Sequence, residues 1–187
     1  MKRTRYYKPE KVILTNDPSM TAWGWAVVDL KCNVLACGCI KTQPSSKLAR
    51  IRKSDDRLRR VSEIVGQLNS VVNRYNVGLI VSEAPHGSQN AQAAVMIGMV
   101  AGILQTFSDL KSIPIEWYSE ADAKKSMSNK KLPNKQAMVD IVSTKYTSWK
   151  KQGVKYQDEA VADALAVHNV ALMHSNIVKW LQAENNI

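Results

Sequence analysis

The chain holds only eight glycines and three cysteines in 187 residues, and each scarcity removes a class of function. Eight glycines without a cluster leave no glycine-rich loop to cradle nucleotide phosphates. Cys32, Cys37 and Cys39 crowd together in alternating apolar sequence, and an odd count at such spacing cannot build a disulfide framework. A zinc site would need nearby histidines or a second cysteine pair, so reduced thiols are expected. No run of 18 or more apolar residues occurs. The basic start Met1-Lys2-Arg3-Thr4-Arg5 meets further charge at Lys8, Glu10 and Lys11 before any long apolar core, unlike a secretory signal. These absences lead to the expectation of a soluble, cytoplasmic protein with no membrane partner and no small-molecule cofactor.

What is abundant is positive charge. Lys and Arg number 26 against 16 Asp and Glu, a formal net charge of +10, which implies an anionic partner, nucleic acid foremost. With 45% hydrophobic residues the chain can bury a full core in one domain over residues 1–187. Within it, residues 1–10 form a basic lead and residues 175–187 a C-terminal extension.

Hydrophobic patterning gives the order of elements. Residues 12–16 form a short apolar run stopped by Asp17-Pro18-Ser19, because proline disfavours a continuing strand. Residues 23–29 and 34–40 complete an antiparallel three-strand meander. Residues 43–53 are a polar, basic loop, after which Leu58, Val61, Ile64, Val65, Leu68, Val71 and Val72 repeat at three and four, the spacing of one buried helix face. Val77-Gly78-Leu79-Ile80-Val81 is apolar throughout, as a strand covered on both sides would be, and ends at Ser82-Glu83-Ala84-Pro85. A helix over 89–107 is rich in Ala, Gly and Met; close packing on the sheet and a subunit interface both account for that. A last strand over 113–117, a helix over 134–146, a basic loop over 150–156 and a final helix over 157–174, with Ala183 as its furthest limit, follow. Three strands, then helix, strand, helix, strand, helix, helix is the order of an α/β, RNase H-like fold. It is a five-stranded mixed sheet, the meander plus parallel strands, flanked by helices.

Asp17 and Glu83 each end a strand. If those strands are parallel neighbours, the two carboxylates meet at the sheet's carboxyl edge, where sites in such sheets form. The final helix adds Asp158, Glu159 and Asp163. Glu159 and Asp163 are four apart and share a helix face. Asp158 suits an N-terminal cap better. Singly, an Asp before Pro is a turn residue and an acid at a helix start answers the macrodipole. Asp163, however, sits between Ala160-Val161-Ala162 and Ala164-Leu165-Ala166, where an unpaired carboxylate is costly and a bound cation would offset the cost.

Asn16-Asp17-Pro18-Ser19 through Gly24-Trp25-Ala26-Val27, Ser82-Glu83 with Asn90-Ala91 and Gly98 to Gly102, and Ala162-Asp163-Ala164-Leu165-Ala166 together resemble the RuvC-type Holliday junction resolvases, over roughly residues 11 to 174. The resemblance implies Asp17, Glu83 and Asp163 as ligands of two Mg²⁺ or Mn²⁺ ions. The family's usual place for a fourth ligand, three residues before the final Asp, is Ala160 here, so Glu159 is the expected fourth, with Asp158 as its substitute or a site of only three protein ligands as the remaining alternative. It implies Lys124 and Lys135 near the scissile phosphate; beside them His86, which could stack on a base, and the surface lysines Lys125, Lys130 and Lys131 are expected DNA contacts of this chain's own. Where resolvases often carry an aromatic residue after the second acid, this chain has Ala84-Pro85-His86-Gly87. It also implies a homodimer through Ala91, Ala94, Val95, Gly98, Met99 and Gly102.

The function implied is metal-dependent nicking of four-way DNA junctions. A nuclease for flaps, forks or RNA hybrids, and a junction-binding module without turnover, are the alternatives. Actin-like phosphotransferases share the first-strand Asp but need the glycine-rich phosphate loops that are missing.

Overall fold

The computed structural model describes residues 10–128 and 133–185. In chain order the elements are β1 (Val12–Asp17), β2 (Ala22–Val28), β3 (Val34–Lys41), α1 (Lys53–Arg74), β4 (Val77–Glu83), α2 (Ala91–Lys111), β5 (Ile115–Tyr118), α3 (Glu120–Met127), α4 (Lys135–Lys145), α5 (Lys155–His174) and α6 (Asn176–Glu184). The sheet order is β3-β2-β1-β4-β5. β1, β2 and β3 pair antiparallel, while β4 runs parallel to both β1 and β5. This is the five-stranded mixed sheet of an RNase H-like fold.

Alternation in the strands sorts the core onto two faces. Ile13, Ala26, Val28, Leu79 and Val81 pack under α5, α4 and α6, whereas Leu14, Trp23, Val27, Ile80 and Ile40 pack under α1 and α2. β1 and β4 are buried from both sides, which explains their unbroken apolar runs.

Two helical features depart from the sequence expectations, and the final helix ends at the nearer of its two expected limits. The buried stripe of α1 is Asp56, Arg60, Ile64, Leu68 and Val72, while Leu58 is 56% and Val65 37% exposed. Arg60 can sit inside because its guanidinium donates to Thr42 Oγ1 (2.7 Å) and the Met20 carbonyl (2.9 Å). α3 was not expected; Ser119 caps it, its Oγ accepting from the Asp122 N–H (3.1 Å). The last helix does not continue past His174: Ser175 is extended at ψ 125 and its hydroxyl accepts from the Val178 N–H, starting α6.

α2 is the one helix among the described residues long and apolar enough to cross a membrane by length and composition, and most of that stretch is not buried. It buries Val100, Ile103, Leu104, Phe107 and Ser108 toward the protein. Its opposite face carries Val95, 49% exposed.

Candidate active site at the carboxyl edge of the sheet

The register of β1 against β4 pairs Asn16 with Ser82, so Asp17 and Glu83 follow side by side at the carboxyl ends of two parallel strands. Both strands stop there because Pro18 and Pro85 follow closely and cannot donate to a ladder. Asp163 reaches the same edge from the third turn of α5, which is drawn unusually close to the sheet. Gly24 permits the approach: a Cβ at that position would lie 2.0 Å from the Ala160 carbonyl oxygen. One turn later the Thr15 hydroxyl, buried in β1, donates to the Ala164 carbonyl. The turns of α5 before and after Asp163 are thereby held against β2 and against β1, the strand that ends on Asp17. Asn16 is likewise committed, accepting at Oδ1 from the Trp23 indole N–H (3.1 Å).

Asp17, Glu83 and Asp163 line one pocket of about 200 Å³ together with His86, Glu120, Lys124, Lys135, Pro133 and Met138. The electrostatics are those of carboxylates too close together in too little water. Burial first, then the Asp163 and Glu83 charges, pushes the Asp17 carboxyl well above its ordinary range, with Lys135 opposing. Burial, then the charges of Glu120 and Asp163, pushes Glu83 up to about 7. Burial raises Asp163 to about 6, held down by Lys135 and Lys124. By surface area alone these acids are only half-buried, but protein atoms crowd around them, and crowding is what makes their charge costly.

Lys124 is paired across one helical turn with Glu120; that hydrogen bond lowers the acid and raises the lysine. Glu120 is the pocket acid that sequence reasoning missed. Its only signal is a Glu-to-Lys spacing of four, which any solvated helix can show.

The remaining expected residues are placed elsewhere. Asp158 is a correction: its carboxylate is buried and accepts from the backbone N–H groups of Gln152 (2.6 Å) and Gly153 (3.1 Å), closing the loop before α5. It is not among the residues that line the pocket and serves as a loop anchor. Glu159 is not among the residues lining the pocket, and reaches it only as a weak charge that raises Asp163. Lys125 is exposed on α3, outside the lining. Lys130 and Lys131 lie outside the described residues.

On α2, Ala91, Ala94, Val95, Gly98 and Gly102 are exposed and Met99 is half-buried. A Cβ on Gly98 or Gly102 would meet nothing within 4 Å. Met99 and Gly102 also line a groove of about 680 Å³ between α1 and α2, whose lining shares no residue with the acid pocket and includes one charged side chain, Lys111.

The pocket acids offer hard oxygen donors, the chemistry that a divalent cation such as Mg²⁺ or Mn²⁺ requires. Among the described residues, as their side chains stand, no three acid, histidine or cysteine groups are drawn together tightly enough to hold a metal ion. The fit is therefore one of donor chemistry and shared pocket: three carboxylates that repel one another, each on a side chain with rotatable bonds.

A family model described as "Crossover junction endodeoxyribonuclease RuvC" matches residues 13–174. The crossover junction endodeoxyribonuclease RuvC of Endomicrobium trichonymphae is 28% identical over 179 residues, 94% of this chain and 86% of that protein. The RuvC of Chromobacterium violaceum is 30% identical over 168 residues, 88% of this chain and 85% of that protein. Among solved structures, RuvC of Thermus thermophilus in complex with Holliday junction substrate superimposes with a TM-score of 0.69 at 19% identity, covering 87% of this chain and 93% of that one. The yeast mitochondrial Holliday junction resolvase gives a TM-score of 0.58 at 13% identity, over 95% of this chain and 83% of that one.

Proposed function

This chain belongs to the RuvC family of crossover junction endodeoxyribonucleases, and from that premise we propose that it resolves four-way DNA junctions through the Asp17, Glu83 and Asp163 pocket. The observation that carries the reading is the meeting of these three acids, from β1, β4 and α5, around one pocket that also holds two lysines. Two divalent ions, Mg²⁺ or Mn²⁺, bound by those carboxylates would activate a water and stabilise the leaving 3′ oxygen, giving a nick with a 5′ phosphate.

The chain's own residues do the rest. Asp17 and Asp163 are carried on backbone held by the sheet and by the Thr15–Ala164 bond, which fixes where their side chains begin. Lys135 and Lys124 offset the acids' mutual repulsion and face the same pocket, where they can contact the scissile phosphate and oppose charge that develops on it. Glu120 holds Lys124 protonated and oriented. His86, exposed in the loop after β4 and lining the pocket, lowers Glu83 and is placed to meet a DNA strand entering there.

Two sites on opposite strands of a junction need two copies. The exposed small and apolar face of α2, with Ala94, Val95, Gly98 and Gly102, suits self-complementary packing of a homodimer. Net charge of +10 gives binding that rests on phosphate contacts and weakens steeply with salt.

The test is cleavage of an end-labelled four-way junction in Mg²⁺ beside flap, fork and linear duplex DNA. Paired symmetric nicks in the junction, absent from linear duplex, are expected. Preferential cutting of flaps or forks would move the substrate, and tight junction binding without nicks would leave only a binding module.

A further inference from the structure

The segment joining β3 to α1 presents an apolar side chain on a rigid, basic support. Leu48 is 92% exposed and Ile51 47% exposed, amid the exposed cations Lys47, Arg50 and Arg52. Single exposed apolar residues are ordinary in a soft loop. This loop is held by its own bonds. A one-turn 3-10 helix, Lys47–Ala49, is capped by Ser46, whose hydroxyl accepts from the Leu48 N–H (3.2 Å), and Arg50 closes it in the left-handed region at φ 51. At its base Ser45 donates from both N–H (3.0 Å) and hydroxyl (2.6 Å) to Asp56, and Arg59 donates to the Gln43 carbonyl (2.7 Å). The hydrogen bond from the Ser45 hydroxyl, then that from Arg59, holds the Asp56 carboxyl at about 2, so the anchor stays charged.

The loop also stands on the substrate edge. Lys41, at the end of β3, pairs with Ala22 at the start of β2. Thr42 Oγ1 (2.5 Å) and Arg60 (2.9 Å) both donate to the carbonyl of Met20, in the turn that leaves Asp17. The root of the loop and the root of the catalytic edge share one carbonyl oxygen.

We propose that Leu48 is a branch-point contact: it lies against base faces left unstacked where the arms of the bound DNA meet, with Lys47 and Arg50 on the adjoining phosphates. This rests on the junction-cleaving function proposed above. A continuous duplex hides its base faces in the stack and offers a leucine nothing, whereas a branch point exposes apolar surface within reach of phosphates. An apolar tip rimmed by cations matches the second surface. The site would supply what His86 and its neighbours lack, because the loop after β4 carries no large apolar residue between Glu83 and Gly87.

The experiment uses a four-way junction with 2-aminopurine at the branch point, whose fluorescence rises when it unstacks, and compares wild type with Leu48→Ser, Leu48→Phe and Lys47→Ala/Arg50→Ala. Leu48→Ser is expected to lose at least half the fluorescence rise and to slow junction nicking about tenfold, the loss of about one apolar wedge contact. Its melting temperature and its affinity for linear duplex should not change, and Leu48→Phe should restore the signal. The double cation variant should weaken binding to all DNA and lower the slope of log affinity against log salt by about 2. Wild-type fluorescence and nicking in Leu48→Ser would overturn the proposal. So would equal weakening on linear duplex, which would make Leu48 a general contact, or a fall in oligomeric state, which would make it a subunit contact. A wild-type protein that neither binds nor nicks junctions would sink the functional reading first, and this one with it.

Discussion

Helices α2 and α5 are built from the same small residues and are nearly the same length, yet they bury opposite amounts of themselves. Of the 20 residues of α5, 12 are buried, including Asn169 and His168. Of the 21 residues of α2, five are. In α5 the alanines let the helix backbone lie against Gly24 and Thr15, and that close approach sets Asp163 beside Asp17. In α2 the glycines face open space. Small residues thus mean two different things: intimacy with the sheet in one helix, and an uncovered face suited to another copy in the other.

The largest expected effect is at α5. Asp163→Asn should reduce junction nicking by at least about 10³-fold, since several kcal/mol of metal-assisted stabilisation is at stake. Gel-shift affinity for the junction should survive, because the Lys and Arg that give the chain its net charge of +10 are untouched. Unchanged nicking would remove Asp163 from the site and break the contrast.

At α2 the corresponding charge, Val95→Asp, should leave the fold intact and weaken self-association about 100-fold, read by sedimentation, through a desolvated charge at the interface core. Paired nicks should become single ones. A monomeric wild type would mean that the open face has another purpose.

Glycine replacements sharpen the same comparison. Gly24→Ala drives a methyl into the Ala160 carbonyl and should cost about 1–3 kcal/mol, lowering the melting temperature by about 2–12 °C. Gly98→Ala meets nothing in the chain and should be neutral or stabilise the monomer by up to about 1 kcal/mol through helix propensity.

The pocket acids give a pH signature as well. Glu83 at about 7 and Asp163 at about 6 are raised in the fold, so their protonated forms are favoured there. The metal-free protein therefore loses stability as pH rises from the unfolded carboxylate range near 4 through 7, and a cation that needs the ionised forms reverses this. Half-maximal Mg²⁺ for nicking should be about tenfold or more higher at pH 6 than at pH 8, where both acids are ionised. The same requirement at both pH values would mean that neither acid is a ligand.

Much of this was legible in the chain. Asp17 before Pro18 and Glu83 before Pro85 mark strand ends, and the all-apolar run before Glu83 marks a strand with neighbours on both sides. Parallel pairing of β1 with β4 is the one further step needed to bring the two acids together. Asp163 stands out as a lone carboxylate among alanines. What was not legible depends on depth and partners. Glu159 shares a helix face with Asp163 but sits one turn, about 6 Å, nearer the start of the helix, and face alone does not reveal how far along the axis the pocket lies. Asp158 reads as a helix-start cap and as a substitute ligand, and which backbone N–H groups it serves, those of Gln152 and Gly153, depends on how the preceding loop folds back. The burial of Arg60 depends on acceptors from Met20 and Thr42, distant in sequence, that its place on α1 does not announce. The break at Ser175 is a capping event that an otherwise helical sequence hides.

The central claim, that Asp17, Glu83 and Asp163 grip divalent cations jointly, is tested most directly by titrating Mn²⁺ and counting bound ions by electron paramagnetic resonance, without any DNA cleavage. Wild type should bind saturably at pH 7.5, and Asp17→Asn, Glu83→Gln and Asp163→Asn should each weaken that binding severely. Full Mn²⁺ binding in any one of the three would contradict it.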